Sequence, residues 1–256
     1  TVITVTVSPA PVAQISVASS TGCAPYTAVF SNTTSGSPTY VWNFGDGGTS
    51  ASAAPNHLYS NPGTYPVQLI AIQGSCSDTA RLQVNVVPSP IAAFTSPTSV
   101  CAGDTVRFNN TGSSGTFNWN FGDGSPTVSQ SSPAHVYAAA GTFTATLVVV
   151  DGSGCTDTAA TTLSIAALPT VNFTGSALTG CDTLTVNFSS AVTGATNYVW
   201  SFGDGTTSTL QGPSHTYTAP GTYSVVLTAS NTAGCSTTRA KNNYVVLRAS
   251  PTPQFS

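Results

Sequence analysis

The stretch YVWSFGDG at residues 198–205 decides the fold. Its core, WxFGDG, occurs three times, at residues 42–47, 119–124 and 200–205, and these copies contain all three tryptophans of the chain. Residues two apart in a strand lie on one face, so the Trp and Phe of each copy share a face. The Asp-Gly that follows is a strong hairpin signal. Each copy is therefore predicted to be a core strand followed by a tight reversal.

The surroundings of each copy recur in the same order, which indicates tandem repeats. Apolar strands precede the core strand, and a Pro, a His-x-Tyr triplet and a Gly followed by an alternating strand come after it. This pattern predicts three repeats of seven short strands each, over residues 9–88, 89–168 and 169–250. Residues 1–8 alternate strictly and are predicted to be the last strand of a preceding repeat, and residues 251–256 the start of a following one.

The composition restricts the class of function. Charged residues make up 5 % of the chain, the net charge is −3 and there are only five basic residues, so no positive patch for nucleic acid or anionic lipid is expected. No apolar run approaches the roughly 20 residues of a membrane span. A surface this poor in charge favours either a covering of glycans or self-association.

The order WxFGDG, His-x-Tyr and Gly-Thr-Tyr/Phe-x-x-x-Leu resembles the PKD family of extracellular Ig-like β-sandwiches, and the likeness extends over nearly the whole chain. The cysteine positions are similar to those of PKD repeats in secreted surface proteins of Bacteroidetes. The resemblance implies an all-β fold of three tandem seven-stranded sandwiches in a rod-like array. It also implies an extracellular or cell-surface location.

The six cysteines fall two per repeat, which indicates disulfides and an oxidising compartment. In an Ig-like sandwich the second strand begins at the pole facing the next domain, and the sixth ends at the opposite pole. The two cysteines of one repeat would then lie too far apart to bond. Inter-repeat pairs are therefore expected, with pairing inside each repeat as the rival if the loops fold back. The expected pairs are Cys23 with Cys155 and Cys101 with Cys235, while Cys76 and Cys181 would bond to adjacent repeats or subunits.

The acids and histidines do not suggest a catalytic site. The histidines recur at one position per repeat, so a triad or metal site would need three repeats to converge, and no acid is unique to one repeat in a way that suggests a cleft. No catalytic residue and no cofactor is therefore expected. Calcium binding by the FGDG aspartates is only a weak prediction, because one carboxylate per turn is too few for tight binding. The aspartate is instead expected to accept backbone N–H bonds in its own turn. The weak calcium candidates are Asp46, Asp123 and Asp204.

The His-x-Tyr triplets are interpreted as structural. Alternation places the His and the Tyr on one face, and a Tyr at this corner of an Ig-like sandwich can bond its hydroxyl to the backbone. The residues expected to carry this scaffold are Trp42, Trp119, Trp200, Tyr59, Tyr137 and Tyr217.

Glycans are the expected covalent partners. Four asparagines lie in N-linked sequons, although such sequons also arise by chance in Asn- and Thr-rich chains. Four threonines lie in Asp-Thr-apolar triplets that resemble an O-glycan acceptor of Bacteroidetes, although Asp-Thr can equally begin a strand. The candidates are Asn32, Asn109, Asn172 and Asn187, and Thr79, Thr105, Thr158 and Thr183.

Two functions fit these features. The first is a non-catalytic structural segment of an extracellular filament, stalk or large cell-surface adhesin, stiffened by disulfides and in contact with neighbouring copies or repeats of the same protein. The alternative is a polysaccharide- or protein-binding accessory module of a secreted enzyme. Carbohydrate platforms usually expose rows of aromatic rings, and here all three tryptophans are expected in cores, which favours the first.

Overall fold

The structure, a computed structural model, describes residues 10–36 and 38–251, and within these ranges every helix or strand element is a β-strand. The strand predicted at residues 1–8 lies outside the described residues. So does the predicted start of a further repeat, apart from Pro251. None of the described residues belongs to a helix long and apolar enough to cross a membrane.

The first repeat is a sandwich of two sheets. One sheet has the order β1-β3-β6 and the other the order β2-β8-β7-β4-β5. Its strands are β1 (Ile15–Val17), β2 (Thr21–Cys23), β3 (Tyr26–Asn32), β4 (Thr39–Asn43), β5 (Thr49–Ser50), β6 (Asn56–Tyr59), β7 (Gly63–Gln73) and β8 (Cys76–Val87).

The second repeat follows the same plan with one strand interrupted, because β11 and β12 are two pieces of the strand that corresponds to β3. These pieces pair with β14 and β9, and the other sheet has the order β10-β16-β15-β13. Its strands are β9 (Phe94–Thr95), β10 (Ser99–Cys101), β11 (Thr105–Arg107), β12 (Asn109–Asn110), β13 (Thr116–Asn120), β14 (Ala134–Val136), β15 (Gly141–Val150) and β16 (Thr156–Ala166).

The third repeat matches the first strand for strand. Its sheets have the orders β17-β19-β22 and β18-β24-β23-β20-β21. Its strands are β17 (Thr170–Gly175), β18 (Thr179–Cys181), β19 (Leu184–Thr193), β20 (Asn197–Ser201), β21 (Thr207–Ser208), β22 (Ser214–Tyr217), β23 (Gly221–Ser230) and β24 (Ser236–Arg248).

Directly after the first predicted strand of each repeat, the structure has an additional short strand that joins the other sheet, and each repeat has eight strand segments where seven were expected. In the first repeat, β1 runs antiparallel to β3, whereas β2 runs parallel to the end of β8. The short segment β2 ends at Cys23, opposite Val87. This change of sheet places the cysteine beside the end of the last strand, next to the linker to the following repeat.

The core of each repeat is built on its Trp-x-Phe pair. Trp42 has no exposed surface and Phe44 only 2 %, and Phe30 of the facing sheet packs 5.5 Å from the Trp42 ring. The other two repeats have the same arrangement around Trp119 and Trp200, which are also completely buried. Alternation along β4 therefore places its rings between the two sheets.

The chain divides into two compact units that do not coincide with the repeats. One unit contains the first repeat together with residues 111–118 and 147–159 of the second, and the other contains residues 94–110 and 119–146 with the chain described from residue 160 onward. The second repeat thus contributes residues to both units.

Candidate functional site

Each FGDG turn brings its aspartate onto the histidine of the downstream His-x-Tyr triplet. In the first repeat Asp46 Oδ1 accepts the N–H of Gly48 at 2.9 Å. The sequence predicted this turn bond but not the histidine, because the Asp follows a strand of one sheet and the His lies on a strand of the other. The signal available was the similar Asp-to-His separation in the three repeats, 11, 12 and 11 residues. The Oδ2–Nε2 distance is 2.7 Å in Asp46–His57, Asp123–His135 and Asp204–His215.

The histidine ring is enclosed by aromatic neighbours. In the first repeat it stacks on Phe44 with ring centroids 4.0 Å apart and meets the edge of Tyr59 at 4.7 Å. The other two repeats have the same pair of contacts. Only 14–18 % of each histidine side chain is exposed. The imidazole therefore links the turn to the core.

The environment of the aspartates favours their charged form. For Asp123, burial raises the pKa, but hydrogen bonds from the Ser125 hydroxyl and His135 outweigh it, and the pKa falls from 3.8 to about 2. The pKa values of Asp46 and Asp204 are lowered in the same way, by their own histidines and turn bonds against the effect of burial. These carboxylates are bound within their own repeats.

Two further hydrogen bonds join the buried rings of each repeat to backbone carbonyls. The Tyr59 hydroxyl donates to the Phe44 carbonyl at 3.0 Å, and Tyr137 and Tyr217 make the same bond in their repeats. The Trp42 Nε1–H donates to the Ser52 carbonyl at 2.8 Å. Burial raises the pKa of Tyr137 to about 12. The polar atoms of the buried rings are thus all bonded to backbone, as buried polar groups must be.

The second and third repeats both have a hydroxyl on the aspartate of the pair, and in the third this hydroxyl also lies near the histidine. Thr206 Oγ1 donates to Asp204 Oδ1 at 2.6 Å, and it lies 3.4 Å from His215 Nε2. That ring nitrogen already contacts the carboxylate at 2.7 Å. The hydroxyl is therefore bonded to the acid and is not presented to an imidazole base, as a nucleophile would be. Among the described residues no three His, Cys, Asp or Glu form a group that could hold a metal ion.

Two disulfides join successive repeats. Cys23 of the first repeat bonds Cys155 of the second, and Cys101 of the second bonds Cys235 of the third, with Cα–Cα distances of 5.7 and 5.6 Å. These are the pairs predicted from the sequence, and among the described residues no disulfide joins two cysteines of one repeat. Each bridge spans one of the short linkers.

The loops that present Cys155 and Cys235 share a fixed geometry. Asp151 Oδ1 accepts the N–H groups of Ser153 and Cys155, and Asn231 Oδ1 accepts that of Cys235. The Asn231 amide also donates to the carbonyl of Ala167 in the linker at 2.9 Å. Both loops therefore hold their cysteine by its backbone N–H.

Further hydrogen bonds tie the start of a repeat to its later strands. Asp157 accepts the N–H of Ala92 at 2.7 Å, as Asp78 accepts that of Ala13 at 2.8 Å. The Ser89 hydroxyl of the first linker donates to Ala24, next to the bridged Cys23. The linker after the first repeat is therefore held on both sides of the bridge.

The two remaining cysteines, Cys76 and Cys181, form no disulfide within residues 10–36 and 38–251. Cys181 is exposed and Cys76 is half-buried. Cys181 lies opposite Arg248 in the parallel pair of β18 and β24, the register that Cys23 and Cys101 have in their own repeats. Cys76 opens β8 after a shorter turn than those before Cys155 and Cys235.

The glycosylation candidates differ in how free their side chains are. The Asn32 amide nitrogen, the atom that an N-glycan would use, donates to the Ala53 carbonyl. Asn109, Asn172 and Asn187 are exposed. Thr105, Thr158 and Thr183 are exposed as well, whereas Thr79 is half-buried. Glycans on any of these residues stay a prediction.

Comparison with known proteins identifies the repeats. The sequence model of the PKD domain matches residues 7–86, 87–165 and 166–246. Two curated relatives are Collagenase ColA of Bacillus cereus, 60 % identical over 30 residues, and Polycystin-1-like protein 1 of Oryzias latipes, 33 % identical over 112 residues. The matches cover 12 % and 41 % of this chain, and they span only 3 % and 4 % of those two proteins.

Two solved structures are among those to which this chain is similar. The PKD1 domain of Epp from Vibrio anguillarum is 30 % identical, with 31 % of this chain and 95 % of that chain covered and a TM-score of 0.27. A three-domain I-band fragment of titin is 11 % identical, with 96 % and 100 % covered and a TM-score of 0.44. The family match covers three successive segments that together make up most of the chain, so the protein belongs to the PKD domain family, with three Ig-like domains in tandem.

Proposed function

We propose that this chain is a non-catalytic structural segment of an extracellular filament, stalk or large cell-surface adhesin. Tandem Ig-like PKD domains are found in extracellular proteins, and disulfides belong to oxidising compartments. The observation that carries the proposal is the pair of bridges between successive repeats, Cys23–Cys155 and Cys101–Cys235. A covalent tie across each joint lets a repeat array transmit tension and limits bending at linkers this short.

The same pairing between successive repeats is proposed for Cys76 and Cys181. Cys181 occupies in the third repeat the place from which Cys23 and Cys101 reach the following repeat. Cys76 occupies in the first repeat the place of Cys155 and Cys235, which are reached from the preceding one. The proposed partner of each is therefore the complementary cysteine of an adjacent repeat or of another copy of this chain.

Oxidation of the purified chain tests this proposal. The wild-type chain is expected to form a ladder of covalent oligomers on non-reducing gels, with peptides that link Cys76 to Cys181. Cys76→Ser and Cys181→Ser should each stay monomeric, because the remaining cysteine has no complementary partner, and a mixture of the two variants should stop at dimers. The double variant should stay monomeric as well. Fibres in electron micrographs of the oxidised wild type would support the filament role. A chain that stays monomeric under oxidation, with both thiols free, would contradict it.

The second candidate function, an accessory binding module of a secreted enzyme, is supported by the likeness to short segments of secreted enzymes. One of these is the bacterial collagenase, and another is a metalloprotease of Vibrio cholerae whose PKD1 domain is 30 % identical to this chain. Dispersed monomers that sediment with an insoluble polysaccharide or protein would favour this second function over the filament.

A further inference from the structure

The outer face of the larger sheet in the first repeat carries a row of polar side chains. Asn43 of β4 pairs with Gln68 of β7, and Gln68 pairs with Arg81 of β8. Their strand neighbours Trp42 and Leu69 are completely buried, so alternation directs the three polar side chains outward. Two amides and a guanidinium thus lie side by side across three strands.

A groove of about 340 Å³ lies along this row. Gly45 and Gly47 of the FGDG turn and Pro66 and Val67 of β7 complete its lining. A Cβ added at Gly47 would meet nothing within 4 Å, so the turn leaves this side open. The groove therefore combines an apolar ring, backbone and three polar side chains in a surface that is open to solvent.

The polar groups of the groove are mainly hydrogen-bond donors. Arg81 is exposed and forms no ion pair or hydrogen bond within the described part of the chain. The Asn43 side-chain oxygen accepts the Gly45 N–H at 2.9 Å, which leaves its NH₂ group as the part that can donate. The carboxylate of the neighbouring Asp46 is bound to His57 and Gly48. An anionic ligand would therefore meet donors and no competing free acid.

The fold itself does not require this row. In the third repeat the same register aligns Ser201, Val226 and Ala240, none of them charged. There Ser224 takes the place of Pro66 against the FGDG glycine. The third repeat packs the same core without the polar row, so the row belongs to the first repeat and not to the scaffold.

We propose that this groove of the first repeat binds a carboxylate-bearing polysaccharide. The Arg81 guanidinium would take a uronate carboxylate as a bidentate partner, and the Asn43 and Gln68 amides would bond ring hydroxyls. The Pro66 ring offers an apolar surface for the C–H face of a sugar. An acidic peptide fits less well, because the groove has no apolar pocket for its side chains. The proposal does not depend on a filament role.

Titration of the chain with polygalacturonate tests the groove, with the fully methyl-esterified polymer as the uncharged probe of the same backbone. Wild type is expected to bind the acid form and not the ester. Arg81→Gln should weaken binding roughly tenfold or more, the factor given by about 1.4 kcal/mol. Gln68→Val, which copies the third repeat, should weaken it as well.

The control is Arg107→Gln, which removes another exposed arginine, from a strand of the second repeat. It should leave binding unchanged. An equal loss in both arginine variants would reduce the effect to net charge and overturn the proposal, as would unchanged binding by Arg81→Gln. Poly-aspartate bound as tightly as polygalacturonate would assign the groove to acidic peptides instead. None of these results depends on Cys76 or Cys181, so they are separate from the test of the filament role.

Discussion

The carboxylate of Asp123 shows how a single residue fixes the turn of its repeat. It accepts a bond from the Ser125 hydroxyl at 2.6 Å and another from the Ser125 N–H at 3.0 Å. Its other oxygen contacts His135, whose ring stacks on Phe121. The acid thereby connects the end of the core strand to the opposite sheet. This structural role explains why an aspartate occurs at this position in all three repeats.

Stability near pH 3 should depend on this carboxylate. Its pKa is about 2 in the folded protein against an ordinary value of 3.8. A lowered folded pKa means that the contribution to stability is fully present above about pH 4 and disappears as the pH falls towards 2. Asp123→Asn should therefore lower the melting temperature at pH 7 and flatten its decline between pH 4 and 2.

Melting curves of the whole chain from pH 7 to 2 measure this effect. Asp104→Asn, which removes an exposed acid of the same repeat, is the matched control and should change neither value much. If Asp123→Asn kept the full acid dependence of the wild type, the carboxylate would not be its source.

The element that carries the motif is a strand and its turn, and here the two glycines of FGDG have different functions. Gly45 has a φ of +86°, and a Cβ there would lie 2.8–2.9 Å from atoms of Pro66. Gly47 has a φ of +95°, but a Cβ there would meet nothing within 4 Å. Both positions need the left-handed region that favours glycine, and only the first also needs the missing side chain.

Alanine substitutions should separate these two requirements. Gly47→Ala is expected to cost about 1–2 kcal/mol, the penalty for placing a non-glycine residue in the left-handed region. Gly45→Ala adds a backbone clash and should cost clearly more. Hydrogen exchange of the β4 and β7 amides measures the local loss, since the three repeats need not unfold together. Equal losses for the two variants would contradict a packing role for Gly45.

Strand positions were predictable because the alternation of buried and exposed residues is local. Trp42 and Phe44 follow from their spacing alone, and their burial bears this out. The Asp46–His57 contact was missed because it joins two sheets, and alternation describes one strand at a time. The row of Asn43, Gln68 and Arg81 depends on the register between three strands. Nothing in the spacing of one strand gives that register.

In the molecule as a whole, each disulfide joins two repeats that are also consecutive in the chain. Each bridge joins residues more than 130 positions apart, 132 for Cys23–Cys155 and 134 for Cys101–Cys235. Each also spans the linker between the two repeats it connects. The pairing of the cysteines could be derived in advance from strand direction, because the topology of an Ig-like sandwich determines which strand ends lie at each pole. The hydrogen bonds that hold the linkers could not, since they use residues that differ from one joint to the next.

Cutting a linker should therefore not separate the repeats. A specific protease site placed at residues 89–90, or in a second variant at residues 168–169, gives two fragments after cleavage. Under non-reducing conditions both cut chains are expected to migrate as one species, because Cys23–Cys155 spans the first cut and Cys101–Cys235 the second. Reduction should release the fragments.

The control for this experiment is the cleaved variant that also carries Cys23→Ser and Cys155→Ser, which should fall apart at the first linker without reductant and stay joined at the second. Pairing inside each repeat predicts the opposite result, with fragments released at either cut before any reduction. Because each bridge covers only its own joint, the two cuts report on the two disulfides independently. Release at one linker alone would mean that only the other joint is covalently tied.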